Sequence, residues 1–85
     1  MNPKPKIYGD FNNADKLGRI RLLESSHADV VRLGFTLRDG MEIEVYDNDL
    51  SADGIVRFSD SENIWVVEID WRKIKDKNSH EKETN

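Results

Sequence analysis

Met41, Ile43 and Val45 alternate with Glu42, Glu44 and Tyr46. That period of two predicts a strand with one buried and one solvated face. Two more runs follow the same rule. From Gly54, Val56 and Phe58 point one way and Arg57 the other; from Ile64 to Trp71, the side chains Trp65, Val67, Ile69 and Trp71 share a face opposite Val66, Glu68 and Asp70. Near the N-terminus, Ile7, Gly9 and Phe11 alternate with Tyr8 and Asp10, and Ile20 and Leu22 alternate with Arg19 and Arg21. The turn-forming stretch Asn12-Asn13-Ala14-Asp15-Lys16 between these two runs predicts a hairpin. Polar segments separate the later strands: a turn at Arg38-Asp39-Gly40, a loop over 47–53 and a connection over 60–63. A turn of 3₁₀ helix is expected at Arg72-Lys73-Ile74.

One helix interrupts the strands. Ser26 is placed to cap it, Asp29 follows three residues later, Val30, Val31 and Leu33 give an apolar face, and Gly34 ends it. Five short strands and a two-turn helix within about 70 residues predict a mainly β domain, because a sheet so small buries its inner face best by curling. The expected fold is a five-stranded, strongly bent antiparallel sheet or small barrel, with the helix plugging one end. The alternative is an α+β open sheet with the helix on one face. The predicted core is Ile20, Leu22, Val30, Leu33, Leu37, Met41, Ile43, Val45, Val56, Phe58, Trp65, Val67 and Ile69.

The stretch Gly54 to Ile74, GIVRFSDSENIWVVEIDWRKI, resembles the closing hairpin of SH3-like barrels, and Leu37-x-Asp-Gly-Met resembles the start of a strand in such domains. The chain is similar to small bacterial proteins of SH3-like barrel type over about 40 residues, a likeness of architecture. The ALYDY motif, the paired tryptophans and the Pro-Ser-Asn-Tyr close of peptide-binding SH3 domains are absent; Val66 follows Trp65. The resemblance therefore implies a shape and no activity.

Composition narrows the picture. The chain has 85 residues, which suits one domain. Residues 5–74 are expected to form it, 1–4 to be loose, and the wholly polar 75–85 to be a disordered tail. There is no cysteine, so disulfide and thiolate-metal chemistry are excluded. No apolar run is long enough for a membrane span and the polar start carries no secretory signal, so a cytoplasmic protein is expected. The net charge of −4 is unevenly spread. Residues 1–38 carry +3, residues 39–70 carry −9 with Arg57 their one basic residue, and residues 71–85 carry +2.

The acidic block shapes the functional expectation. Glu42, Glu44, Glu68 and Asp70 lie on outward strand positions, where they would crowd if their strands were neighbours. With Tyr46 and the strand-terminal Trp71 they are the candidate interaction residues, and a partner protein with a basic surface would complement them. Arg19 and Arg21, with Tyr8 beside them in the predicted hairpin, form an alternative face for single-stranded nucleic acid. The acidic balance argues against it, and salt bridges from these arginines to Glu42 or Glu44 explain them equally well. The loop Asp47 to Gly54 is rich in oxygen donors, but Ala52 and Phe58 stand where an EF-hand needs Gly and Glu, so turn chemistry explains it better than a cation site. His27 and His80 are a poor metal pair. No nucleophile motif or phosphate loop is present, and neither an enzyme nor a cofactor is expected. The expected function is a non-enzymatic protein-interaction module, as a monomer or weak dimer.

Overall fold

A computed structural model describes residues 4–76. The strands are β1 (Lys6–Tyr8), β2 (Ile20–Arg21), β3 (Glu42–Tyr46), β4 (Leu50–Ser59), β5 (Ile64–Ile69) and β6 (Lys75–Asp76), with one helix, α1 (Glu24–Leu33). They form a curled sheet in the order β1-β3-β4-β5-β2, a half-barrel with β6 added to β4. The mainly β fold with a strongly bent sheet and one short helix is therefore as expected. Most of the predicted loose N-terminus (1–4) and disordered tail (75–85) lies outside the described residues. Lys4 is described, and Lys75–Asp76 pair with Leu50 and Ser51 through their backbones, which requires no apolar side chain.

The centre follows from the alternating pattern. β3, β4 and β5 are antiparallel neighbours, with Val45 opposite Ala52 and Val56 opposite Val67. β4 begins at Leu50 rather than Gly54, so residues 50–53, read as loop, are strand. Beyond β5, the partner of β4 advances six positions, from Ile69 to Lys75, while β4 recedes three, from Gly54 to Ser51. The three extra residues, Trp71–Lys73, loop out as the 3₁₀ turn, one residue earlier than predicted.

The N-terminal hairpin does not form. β1 pairs in parallel with β3 (Ile7 with Val45), and β2 pairs with β5 at the other end of the sheet (Ile20 with Val67). The connection between them spans the gap between the two sheet edges. Gly9 donates its N–H to the Tyr46 carbonyl at 2.9 Å, and Ala14 bridges to Ile20. A hairpin inferred from sequence proximity lost to long-range pairing that places Ile7, Phe11, Ile20 and Leu22 in one core with Ile43, Val45, Val56 and Val67.

The helix is longer than predicted and starts earlier. Leu23 precedes its first turn without a side-chain cap, and Gly34 ends it in the left-handed region at φ 76°. Ser26 and Asp29 have other work. The Ser26 hydroxyl donates to the Tyr8 carbonyl, and the Tyr8 N–H donates to Asp29 Oδ2 at 2.9 Å. Two helical side chains thus take the place of a neighbouring strand along the edge of β1 at Tyr8, a way of blunting a sheet edge.

The core also departs from expectation at its margins. Leu33 and Phe58 are exposed, and Val30, Met41, Trp65 and Ile69 are only partly buried. Leu33 lies in the last helical turn, past the contact with β1, and Phe58 stands at the rim with its ring edge-on to Trp65 at 5.1 Å. Val66 is fully buried although it faces away from the core. Its cross-strand partners are Arg21 and Arg57, whose aliphatic stems can cover it from both sides.

Candidate functional site

Cross-strand partners share a sheet face, so the register defines the outer surface row by row. One row runs Glu42, Ile55, Glu68; the next runs Lys6, Glu44, Asp53. β4 therefore separates the carboxylates of β3 from those of β5, and Ile55 lies between Glu42 and Glu68. β3 and β5 are not neighbours, so the condition for crowding is not met. A shallow depression of about 340 Å³ nevertheless gathers Glu42, Asp53, Glu68 and Asp70 around Gly54, Ile55 and Ile69, with Lys4 at its border.

Three of the four predicted carboxylates meet there. Glu44 belongs to the adjoining row beside Lys6. Asp53 was missed because the strand was read as starting at Gly54. Lys4 reaches Asp53 at 3.2 Å, and Arg57 lies 3.2 Å from Glu68 and 3.5 Å from Asp39. These pairs are exposed, so each contributes no more than about 1 kcal/mol. Asp70 accepts the Arg72 guanidinium and the Arg72 N–H, which lower its pKa and cap the 3₁₀ turn.

Tyr46 and Trp71 lie apart from this depression. The Tyr46 hydroxyl donates to Asp29 Oδ2 at 2.9 Å, and its ring is edge-on to Tyr8 at 5.8 Å. Burial would raise the Asp29 pKa, but the Arg32 side chain, the Tyr8 N–H and the Tyr46 hydroxyl outweigh it and hold the carboxyl below its ordinary value. The same bond, with burial, raises the Tyr46 phenol.

Trp71 is 44% exposed. Its indole N–H donates to the Gly18 carbonyl at 2.7 Å, and its ring stands edge-on to buried Phe11 at 6.2 Å. It clamps the loop before β2 to the turn after β5. Trp71→Ala is expected to cost about 2 kcal/mol, below the full buried-Trp penalty because much of the ring is wet. Urea unfolding measures it, and a loss under about 0.5 kcal/mol would mean that the ring is free to serve chiefly as a contact for a partner.

The arginines of the alternative face are engaged within the chain, though not by Glu42 or Glu44. Arg21 binds both oxygens of Glu62 (2.7 and 2.8 Å), the Asn13 side chain (2.8 Å) and the Ala14 carbonyl (3.0 Å). This pairing lowers the Glu62 pKa. Arg19 binds Asp15 at 2.8 Å. Burial would raise the Asp15 pKa, yet the N–H and guanidinium of Arg19 and the Leu17 N–H together lower it. Tyr8 is on the far edge strand rather than in a hairpin with the arginines; it shares only the wall of a shallow depression with Arg21.

The Asp47 carboxylate holds its own loop. Oδ1 accepts the Asp49 and Leu50 N–H groups at 2.8 Å, and Oδ2 accepts the Phe11 N–H at 3.3 Å. This is turn chemistry. Among the described residues, no three His, Asp or Glu side chains converge as a metal site, and no helix is long and apolar enough to cross a membrane. His27 is exposed on α1, and His80 lies outside the described residues.

A second concavity, absent from the sequence expectations, lies on the other side of Lys4. It measures about 790 Å³ and is lined by Lys4, Pro5, Lys6, Arg32, Leu33, Phe35 and Tyr46. Three cations surround an apolar floor. No sequence period marks it, because its lining comes from three separate segments of the chain. No protein-family model, curated protein or solved structure matches the chain.

Proposed function

We propose that the protein is a non-enzymatic interaction module that binds a partner protein's basic side chains on the outer face of β3, β4 and β5. One observation carries this: Glu42, Asp53, Glu68 and Asp70 gather around Ile55, whose side chain shares the outer face with Glu42 and Glu68. Lysine and arginine have the complementary build, an aliphatic stem ending in a cation, and arginine adds paired hydrogen bonds to carboxylates. The carboxylates stand on or beside paired strands, which fixes their spacing better than a loop would. Nucleic acid binding through Arg19, Arg21 and Tyr8 is the weaker alternative, since both guanidinium groups sit in partly buried ion pairs, whereas the pairs at Asp53 and Glu68 are exposed and yield more readily to a competitor. The strongly curled sheet has the kind of shape expected from the likeness to SH3-like barrels.

Amide NMR during titration with a short arginine-rich peptide tests the proposal. Shifts are expected along β3, β4 and β5, fading as salt rises from about 50 to 500 mM. The double variant Glu42→Gln, Glu68→Gln is expected to weaken binding about tenfold, equivalent to about 1.4 kcal/mol. Equal affinity in that variant, or shifts centred elsewhere, would overturn the assignment. A single-stranded oligonucleotide at about 50 mM salt is expected to leave the Arg19 and Arg21 amides unmoved.

A further inference from the structure

We infer that the concavity between the start of β1 and the end of α1 is a second docking site, for a partner peptide with an apolar anchor flanked by carboxylates. This site lies beyond the acidic sheet face and has the opposite charge. Its floor is Pro5, Leu33, Phe35 and Tyr46, and its rim carries Lys4, Lys6 and Arg32. No carboxylate is among these lining residues. Three carboxylates lie beside it: Asp29, mostly buried and sharing its charge with Arg32, Tyr46 and the Tyr8 N–H; Glu44, the cross-strand neighbour of Lys6; and Asp53, which meets Lys4. Arg32 is 63% exposed in its side chain and contacts Asp29 through Nη2, which leaves much of the guanidinium turned to solvent. Lys6 is exposed on the β1 edge, and the Lys4 contact with Asp53 is exposed at both ends. An exposed pair of this kind yields readily to a competing carboxylate.

The walls are fixed before any ligand arrives. The Pro5 carbonyl accepts the Glu44 N–H at 2.9 Å, which holds the start of β1 against β3. Gly34 donates its N–H to the Val30 and Val31 carbonyls, which ties off the end of α1 beside Leu33. Leu33 is 44% exposed within the concavity, where an apolar anchor would cover it. Burying such a side chain supplies affinity, while the three cations choose among anchors by their flanking charge. A peptide suits this site better than a nucleic-acid strand. Phe35 packs against the core and the Tyr46 ring is held edge-on to Tyr8 with its hydroxyl on Asp29, so the aromatic part of the floor is not laid out as a stacking platform. An apolar anchor covers Pro5 and the exposed part of Leu33, which a phosphate strand would leave wet.

The probe is a capped hexapeptide with a central leucine–phenylalanine pair and two glutamates on either side. Amide NMR is expected to show shifts at Lys6, Leu33, Phe35 and Tyr46, with little change at Glu42 and Glu68. Lys6→Glu and Leu33→Asp alter exposed side chains, and a dispersed spectrum of each variant confirms that it remains folded. Each is expected to weaken binding at least about tenfold. Exchanging the leucine–phenylalanine pair for serines, or the glutamates for lysines, is expected to abolish the shifts in the groove. No groove shifts at millimolar peptide, unchanged affinity in Lys6→Glu, or stronger groove shifts with oligouridine than with peptide would each overturn the inference. The acidic sheet face is read by the arginine-rich peptide, so the two assignments fail or stand separately.

Discussion

Replacing Asp29 with alanine is expected to destabilise the protein by about 3 kcal/mol, since two half-buried donors each lose a charged acceptor at a cost of about 1 kcal/mol or more and the pair with Arg32 is lost as well. Asp29 accepts the half-buried Tyr8 N–H and Tyr46 hydroxyl and pairs with Arg32, and all three contacts are lost with the carboxylate. Single domains are held together by only about 5–15 kcal/mol. For a chain of this size the melting temperature should fall by more than about 10 °C. Asp29→Asn keeps one acceptor oxygen and should lose about half as much. Acid adds a second readout. The native pKa of Asp29 is lowered, so its contribution is fully present above its unfolded-state value of about 3.9 and lost as pH falls through the lower native value. Asp15 behaves in the same sense. The Asn variant should therefore show a shallower, but not flat, loss of stability below about pH 4. Urea titrations at neutral pH and at about pH 3 decide the matter: wild-type stability and an unchanged acid slope in the variant would show that Asp29 does not hold the β1 edge.

Gly54→Ala is expected to be comparably damaging. A Cβ there would overlap the Val67 Cγ1 methyl, approach Ile69 Cγ2 to 2.9 Å and touch the Glu68 carbonyl at 3.0 Å. Gly54 lies mid-strand between β3 and β5, opposite Ile43 and Ile69, so the backbone has no free direction in which to move. Overpacking of this kind costs about 1–3 kcal/mol, and we expect the upper end. Gly54→Val should prevent folding. A double-mutant cycle with Val67→Ala provides the test. Removing the Val67 methyls relieves the worst overlap, so the paired variant should be more stable than the sum of the single losses by about 1 kcal/mol. Strict additivity would show that the cost of Gly54→Ala is not steric.

The legible parts of the molecule were those governed by short-range pattern. Alternation over 41–46, 54–58 and 64–69 located β3, β4 and β5, and Gly34 marked the end of the helix. Glu42, Glu68 and Asp70 could be placed on the outer face by the same period. What failed depended on distant partners. Tyr8 and Arg21 looked adjacent because a turn separates them, yet each found a strand far along the chain. Ser26 and Asp29 carried the chemistry of a helix cap, but the bare edge of β1 claimed both. Asp53 disappeared into a loop because Asp, Asn and Ser usually make turns, while the backbone of 51–53 is committed to Tyr46, Val45 and Glu44 through β3. The basic groove left no signal, since it is assembled only by folding.

The parallel pairing of β1 with β3 has a consequence during synthesis. Ile7 is made 38 positions before Val45, its partner in the register. At about 5–20 residues per second, the first strand waits seconds for the surface that will shelter it. Ile7, Phe11, Ile20 and Leu22 leave the ribosome ahead of β3, β4 and β5, although all four end in the same core. These apolar residues therefore wait for partners made later, Ile7 for β3 and Ile20 for β5, and a growing chain exposes them until the acidic half of the domain has followed.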